Sequence, residues 1–560
     1  MPGLAVDAVL LVVLGALVAG VVGLAQRWEA PIRPAVEIDL SPSALPGYTL
    51  LSLSRGLAAY LLSLAFTLVY GTIAAHGKRA EKVMLPLLDV GQGIPVLGFL
   101  PGLVLGMVAL FPKTNVGLEL ACILMIFTGQ VWNMTFSYVG SLRSIPDELR
   151  EVARLHRFSF WKRFRTVEVP SSVIGLVWNS MMSMAGGWFF LTVNEAFTLG
   201  DRDFRLPGIG SFMAVAIEKG DRRAMAWAVV AMAVMIVAVD QLLWRPLVAW
   251  SQRFRNADIE GENVPESWVL NLVRRSRFLR RLRLRRRRTR APAPPMAAEK
   301  AGASPGGRGE RVRAALVSGL GIAALLGALL GAWKVVGLLA RVPAAQWLVL
   351  AGAVGATAVR TFSALALAAA WTLPVGILIG RSAAWSRRLQ PVVQIVASFP
   401  APMLFPIVTG ALLVLRVPFG AIAAVLMLLG AQWYVLFNVL AGASAIPHDL
   451  GEAADVYAMR GGIRWRTLFV PAVFPFLVTG LVTAAGGAWN ASIVAETLHF
   501  RGKTLETFGL GSLITRATRE ADFPLLTAGV LTMSLAIVAL NRLVWRRLSR
   551  LAETKYSLNR

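Results

Sequence analysis

Two polar segments, residues 145–170 and 446–471, carry acids, bases and a closing proline at matching positions in an otherwise apolar chain. Acidic residues fall in the first turn of a predicted short helix, where the helix dipole favours them, and basic and aromatic residues follow. Amphipathic helices of this composition bind in grooves on partner proteins and pass on rigid-body motion. We therefore predict a pair of docking surfaces. The alternative is a pair of solvated loops that serve only membrane topology.

Four ionisable residues lie near the predicted outer ends of apolar segments, namely Arg55, Arg360, Glu195 and Glu496. A charged group at membrane depth costs roughly 2.5 to 3.5 kcal/mol on insertion scales, so such residues are candidates for a transport pathway. Two alternatives stay open. Each half could contain a structural Arg–Glu pair, or the charged groups could reach the membrane interface.

Prolines interrupt one predicted helix at corresponding positions in two parts of the chain. Proline removes a backbone donor and kinks a helix, and pairs of glycines elsewhere permit close helix approach. Kinked helices at an interface predict a gated path, with ordinary packing as the alternative. The prolines are Pro95, Pro101, Pro400 and Pro406, and the glycine pairs are Gly186-Gly187 and Gly486-Gly487.

These residues recur because most of the chain is an internal repeat. Glu195 matches Glu496 at a spacing of 301 residues, and Arg55 matches Arg360 at a spacing of 305. Six spans in each half would insert both copies in the same orientation, related by an axis along the membrane normal. The predicted organisation is a first half at 1–250 with its core at 50–250, a cytosolic linker at 251–312, and a second half at 313–560 with its core at 346–550.

Composition places these elements in a membrane, since 56% of the residues are hydrophobic, 16% are charged and the mean hydropathy is +0.62. A spanning helix needs roughly 20 apolar residues, and continuous apolar runs favour helices over barrel strands. The opening segment is expected to be a retained span rather than a cleaved signal. We predict an all-α polytopic protein with about twelve spans, near residues 6–25, 50–75, 84–110, 115–140, 171–197, 223–249, 313–340, 346–380, 391–415, 419–441, 472–498 and 523–546.

Basic residues set the predicted orientation. The chain has 57 lysines and arginines against 31 acids, and their excess lies in alternate loops. The positive-inside rule assigns these loops, and with them both termini, to the cytosol. The arginine-rich run at 274–290 is expected to contact anionic lipid or to anchor topology, rather than to bind nucleic acid.

The Glu-x-Ala pattern, its basic helical continuation and its Val-Pro ending resemble the EAA loop of permease subunits of binding-protein-dependent ABC importers. Residues 487–496 resemble the tryptophan-containing, Val-Ala-Glu-ending fifth core helix of the nitrate, sulfonate and taurine branch. The resemblance covers 50–250 and 346–550, with two permeases fused in one chain. It implies a type I ABC importer permease fold and ATPase coupling through Glu151, Ala153, Arg157, Pro170, Glu452, Ala453, Ala454, Ala458 and Pro471.

The same resemblance implies partners. Two ATPase subunits that carry ATP and Mg would bind on the cytosolic side, and a periplasmic substrate-binding protein would bind outside. The setting would be a bacterial inner membrane, and the cargo a small anion such as a sulfonate, taurine or nitrate. The family usually has a glycine six residues after the glutamate, where this chain has Arg157 and Ala458. The path of the chain at these two positions is therefore an open question, because glycine reaches left-handed conformations most easily.

Other functions receive little support from the residues. A phosphate-binding loop would need a glycine where Thr497 precedes Gly502-Lys503-Thr504, so ATP hydrolysis in this chain is not predicted. The four histidines and the single Cys122 form no metal-ligand spacing. The chain is expected to be no enzyme and to hold no metal. The competing hypothesis is a secondary transporter with two parallel six-helix repeats, which would need acids or broken helices at the midplane.

Overall fold

The computed structural model describes residues 36–199, 202–254, 326, 329–500 and 502–556. Within them, eight helices are long and apolar enough to cross a membrane, or ten if each of two bent helix pairs is one span. The sequence predicts twelve. The predicted opening span at 6–25 lies outside the described residues. The one at 313–340 is described at 326 and from 329, where an apolar helix covers Leu329–Leu339.

The first half contains ten helices and one hairpin among its described residues. A 3₁₀ turn at Val96–Phe99 precedes α3, and π-helical turns at Phe164–Glu168 and Asp240–Trp244 continue α6 into α7 and α9 into α10. The elements are α1 (Leu45–His76), α2 (Lys78–Gly93), α3 (Leu100–Leu110), α4 (Val116–Arg143), α5 (Asp147–Leu155), α6 (Phe160–Arg163), α7 (Val169–Asn194), β1 (Ala196–Leu199), β2 (Arg202–Arg205), α8 (Ile209–Glu218), α9 (Arg222–Val239) and α10 (Arg245–Ser251).

The second half repeats this order, including π-helical turns at Trp465–Phe469 and Asn541–Trp545. Its elements are α11 (Leu329–Leu339), α12 (Ala344–Arg381), α13 (Ala383–Ala397), α14 (Ala401–Val414), α15 (Phe419–Ser444), α16 (His448–Val456), α17 (Gly461–Arg464), α18 (Val470–Ala495), β3 (Thr497–Phe500), β4 (Lys503–Glu506), α19 (Leu510–Arg519), α20 (Phe523–Leu540) and α21 (Arg546–Lys555).

Each half is built on three long helices that pack side by side, α1, α4 and α7 in the first and α12, α15 and α18 in the second. Helices are required because a lipid-facing backbone must satisfy its hydrogen bonds within the segment. Some buried hydroxyls are paired in the same way, as in the 3.0 Å hydrogen bond between Thr67 and Thr135. One core cluster includes Trp188 and Phe212 of the first half with Trp489 and Leu510 of the second. The two halves therefore share a packed interior.

The helix that follows the first long helix of each half is sharply bent. Residues Ala80–Gly93 and Val96–Leu110 meet at 83°, and Arg388–Ala397 and Ala401–Val414 meet at 87°. Pro95 and Pro400 lie at these breaks in extended backbone. Proline lacks the N–H that would continue the helix, so the chain turns there. These pairs stand where the sequence predicts spans at 84–110 and 391–415.

Two antiparallel hairpins follow α7 and α18, where the sequence predicts only outer loops. Phe197 pairs with Phe204 across β1 and β2 with stacked rings 5.0 Å apart, and Leu498 pairs with Leu505 across β3 and β4. Strand β1 packs against α19 of the second half, and β3 packs against α8 of the first. Each hairpin therefore links its own half to the other half.

His499 in β3 gives this contact a pH dependence. Burial and the nearby charge of Arg519 lower the pKa of His499, while Glu218 of the first half opposes that shift. The unfolded chain then binds more protons than the folded chain as the pH falls below about 6.5. The contribution of His499 to the free energy of unfolding is therefore fully present above that pH and is lost as the pH drops. We expect the melting temperature of native protein to fall more between about pH 7.5 and 5.5 than that of His499→Gln. Equal falls in the two proteins would contradict this assignment.

Candidate functional site

The first predicted docking segment is a short helix, a tight turn and a second short helix that merges with a spanning helix. Helix α5 begins after Pro146, with two acids in its first turn. The turn closes where the amide of Phe158 donates to the carbonyl of Ala153 at 2.9 Å. Ala153 is buried, while Glu151 and Arg157 are exposed. The acid is thus presented outward and the alanine packs inward.

The second segment has the same geometry. Helix α16 begins after Pro447, and the amide of Met459 donates to the carbonyl of Ala454 at 2.9 Å. Ala454 is buried, whereas Glu452 and Ala453 are exposed. The half-buried Pro170 and Pro471 lie in the first turns of α7 and α18. Large apolar side chains also face outward here, since Leu155 is 81% exposed and Val456 is 83% exposed.

The two positions where the family pattern has glycine adopt the left-handed conformation. Arg157 has a φ of 46° and Ala458 has a φ of 50°. The turn that glycine would favour is therefore formed by residues with a Cβ atom, at a cost of roughly 1 to 2 kcal/mol each. The chain therefore follows the same turn in both halves, and Arg157 and Ala458 introduce local backbone strain there.

Replacing these residues by glycine should relieve that strain. We expect Ala458→Gly to raise the free energy of unfolding by about 0.5 to 1 kcal/mol, because the steric relief exceeds the added backbone entropy of glycine. Ala453→Gly is the matched control, since Ala453 is exposed in ordinary helical backbone and its replacement should destabilise by about 1 kcal/mol. Denaturant unfolding of the purified chain measures both. A loss of stability in Ala458→Gly would contradict the strain.

Arg55 is the centre of a buried ion cluster in the first half. Its Nε and Nη2 donate to the two carboxylate oxygens of Glu119 at 2.6 and 2.8 Å. Its Nη1 donates to Glu195 at 2.8 Å and to the carbonyl of Pro207 at 2.9 Å. Glu195 also accepts from the hydroxyl of Ser52 at 2.7 Å. The predicted residues Arg55 and Glu195 thus bind each other inside one half.

The second half builds the corresponding cluster with one carboxylate fewer. Arg360 donates through Nη1 to Glu496 at 2.8 Å and through Nη2 to the hydroxyl of Thr507 at 2.9 Å. Gly420 occupies the position that Glu119 has in the first half, and Thr507 replaces Leu206. The hydroxyl of Thr507 therefore accepts a hydrogen bond from Arg360 where, in the first half, the carboxylate of Glu119 accepts one from Arg55.

Sequence reasoning did not select Glu119, although it is an acid inside the predicted span at 115–140. That placement was an available signal, because an acid at membrane depth needs a partner. The search by internal repeat passed over it, since Gly420 stands at the matching position.

The two clusters should differ in their response to loss of the arginine. Arg55→Leu leaves two buried carboxylates uncompensated, and removal of one partner of a buried ion pair costs about 3 to 5 kcal/mol. Arg360→Leu should cost less, because it leaves one carboxylate that also accepts from Thr357, Gly511 and Ser512. Unfolding in detergent micelles compares the two variants. Adding Glu119→Gln should recover part of the stability lost in Arg55→Leu, but none of the stability lost in Arg360→Leu. An equal loss of stability in the two single variants would contradict the expected difference.

The predicted prolines have different positions relative to the bends. Pro95 and Pro400 lie at the breaks, while Pro101 lies in the first turn of α3. Pro406 is inside α14, past the break. Of the predicted pathway residues, Pro400 and the glycines Gly186, Gly486 and Gly487 line the cavity described next, and the two Arg–Glu pairs do not.

A cavity of about 160 Å³ lies between the two halves. It is lined by the bent helices together with α4, α7, α15 and α18, so both halves contribute matching walls. Trp132 and Trp433 are related by the repeat, as are Gly129 and Gly430. None of its described lining residues is charged. The polar members are Gln92, Thr128, Asn133, Gln394, Tyr434, Thr483 and Asn490, together with the indoles of Trp132 and Trp433.

The cavity lies where the kinked, glycine-bearing helices predict a gated path, but Trp132 and Trp433 are not among the residues predicted to line it. The matching of Trp132 with Trp433 was a signal for it, because related residues on a pseudo-symmetric axis face each other across that axis. The charged residues predicted for the pathway, Arg55, Arg360, Glu195 and Glu496, are not part of its lining.

Comparison with known proteins identifies the class. The model of the family described as "Binding-protein-dependent transport system inner membrane component" matches residues 67–243 and again 372–548. The chain belongs to this family and carries two copies of its domain. The predicted family and the all-helical membrane fold are thereby confirmed.

Individual relatives match parts of this chain at 25% to 29% identity. The chain is 29% identical over 136 residues to the nitrate import permease protein NrtB of Synechococcus elongatus, which covers 24% of this chain and 47% of the relative. It is 28% identical over 142 residues to the bicarbonate transport system permease protein CmpB of the same species, covering 25% and 49%. It is 25% identical over 212 residues to the putative aliphatic sulfonates transport permease protein SsuC of Bacillus subtilis, covering 37% and 71%. The chain spans about half the length of NrtB and CmpB.

Proposed function

We propose that this chain is the complete transmembrane pathway of an ATP-driven importer, with one copy of the permease domain on each side of the cavity. Two separate ATPase subunits, which carry ATP and Mg, bind the segments 145–170 and 446–471 on the cytosolic side. A substrate-binding protein delivers cargo on the periplasmic side of a bacterial inner membrane. Both termini are cytosolic in this arrangement.

The observation that carries this proposal is the continuity between each docking segment and a wall of the cavity. A single helical stretch runs from Phe160 to Asn194, and its counterpart runs from Gly461 to Ala495. Gly186 and Gly487, far along these stretches, line the cavity. A partner that moves the cytosolic end therefore moves the cavity wall, because a helix transmits displacement along its axis as a rigid element.

The exposed apolar residues support the docking role. Leu155 and Val456 stand at matching positions of α5 and α16 and are almost fully exposed. Outward apolar side chains on a short, otherwise charged helix are typical of a helix that inserts into a groove of a partner protein. ATP binding by the partners would close them on each other, carry the two segments with them and change which side of the membrane the cavity faces.

For the cargo, we propose a small oxyanion. The relatives named above import nitrate, bicarbonate or sulfonates according to their names. The cavity is compatible with an anion, since amides, indoles and hydroxyls supply hydrogen-bond donors and its described lining contains no carboxylate. Neutral donors bind an anion weakly enough to release it, because no ion pair has to be broken.

Charge reversal at the two docking segments tests this function. We expect Glu151→Lys with Glu452→Lys to weaken ATPase binding and ATP-dependent uptake by about tenfold or more, because like charges placed at an interface cost several kcal/mol. Glu553→Lys is the matched control, since Glu553 is an exposed acid in α21 outside both segments. Proteoliposomes containing the chain, its ATPase and labelled anions provide the assay.

Two results would refute the proposal. One is native ATPase binding and uptake in the double variant. The other is rapid uptake under an ion gradient without ATP, which a secondary transporter would show.

A further inference from the structure

The bend of the first half is tied to the second half by a hydrogen bond. The amide of Val96 donates to Oδ1 of Asn490 at 2.8 Å. Val96 is buried and opens the 3₁₀ turn that follows the break at Pro95. Asn490 is in α18, where its Nδ2 donates to the carbonyl of Gly486, which fixes the orientation of the amide group. Both Val96 and Asn490 line the cavity between the halves.

The second half holds its own bend in a different way. Phe189 occupies the position that corresponds to Asn490, and a phenyl ring offers no such acceptor. Met403 corresponds to Gly98 of the first bend and is buried in the core shared by the two halves. Gly98 itself leaves no room for a larger residue, since a Cβ there would lie 2.6 Å from Val530 of α20. The first bend therefore has a directed polar bond to the other half in addition to apolar packing, whereas at the second bend Phe189 offers no corresponding acceptor and Met403 packs in the apolar core.

These two kinds of contact respond differently to movement between the halves. A hydrogen bond weakens steeply once its distance or angle departs from a narrow range. Apolar packing is non-directional and depends on buried area, so it tolerates a small displacement. The bond between Val96 and Asn490 is specific to the arrangement described here, and a change of access that moves α18 against the first bend must break it.

We propose that Asn490 is a latch that holds the cavity in its present arrangement by accepting the amide of Val96. The inference rests on the proposed function only in treating the two halves as moving parts of a transport cycle. Asn490 is a positioning residue, since it acts through the bend of the first half.

Removal of the bond from either partner tests the latch. Asn490→Leu keeps the shape of the side chain and loses the acceptor, and Val96→Pro loses the donor at a helix start where proline is tolerated. Cysteines at Ser144 and Ala445, which are exposed and repeat-related at the cytosolic ends of α4 and α15, carry spin labels on the full chain in nanodiscs. The native Cys122 is buried. Pulsed electron resonance then gives the distance populations between the halves without any ATPase.

We expect each single variant to lower the ratio of the native arrangement to other arrangements by about three- to tenfold, the usual net worth of one hydrogen bond. The double variant should shift it no further than either single variant, because both remove the same bond. Asn438→Leu is the matched control, because the side chain of Asn438 donates to Tyr434 of its own helix, and it should leave the populations unchanged.

The outcomes separate the latch from a structural role. Native populations in Asn490→Leu, or additive effects in the double variant, would each overturn it. If Asn490→Leu does not fold, Val96→Pro gives the same measurement from the donor side. If the variants shift the populations although the chain shows no ATP-dependent uptake, the latch stands and the proposed function is refuted.

Discussion

The requirement that every buried charge find a partner within its own half shapes the outer part of this molecule. An arginine in α1 or α12 is stable at that depth only because carboxylates and backbone oxygens surround it. These partners come from the end of the third long helix and the segment after the hairpin in both halves, and in the first half also from the start of the second long helix. The same bonds that neutralise Arg55 and Arg360 therefore set how the long helices and the hairpins are arranged. Packing of apolar side chains fills the space that these contacts define.

The opposite ends of the long helices, next to the segments 145–170 and 446–471, obey the same requirement with different chemistry in each copy. Glu168 accepts from Arg163 at 2.7 Å and lies 2.9 Å from His76. Phe469 stands at the corresponding position in the second half, and the guanidiniums of Arg381 and Arg464 lie 5.4 and 5.5 Å from the centre of its ring. A carboxylate and an aromatic face both attract cations, so the junction between docking segment and spanning helix is preserved although the residues differ.

Much of the fold followed from the sequence because repetition and apolar runs are long-range signals that survive divergence. The matching prolines marked the two breaks, and the acids and prolines of 145–170 and 446–471 marked two helical segments. The hairpins escaped prediction because four-residue strands such as β1 and β3 have too few residues to show a period. Glu119 and Asn490 escaped because their importance depends on partners far away in sequence, Arg55 and Val96. A search for pairs of equal residues finds what the copies share, and both of these positions lie where the copies differ, opposite Gly420 and Phe189.

Joining both copies in one polypeptide has a consequence for how such differences arise. In an assembly of two identical chains, a change opposite Arg55 would also be made opposite its symmetry mate, and both sites would have to tolerate it. Here a single codon change alters one side alone. Gene duplication followed by fusion therefore makes it possible for glutamate to face one arginine while glycine faces the other. Each half is thereafter free to specialise.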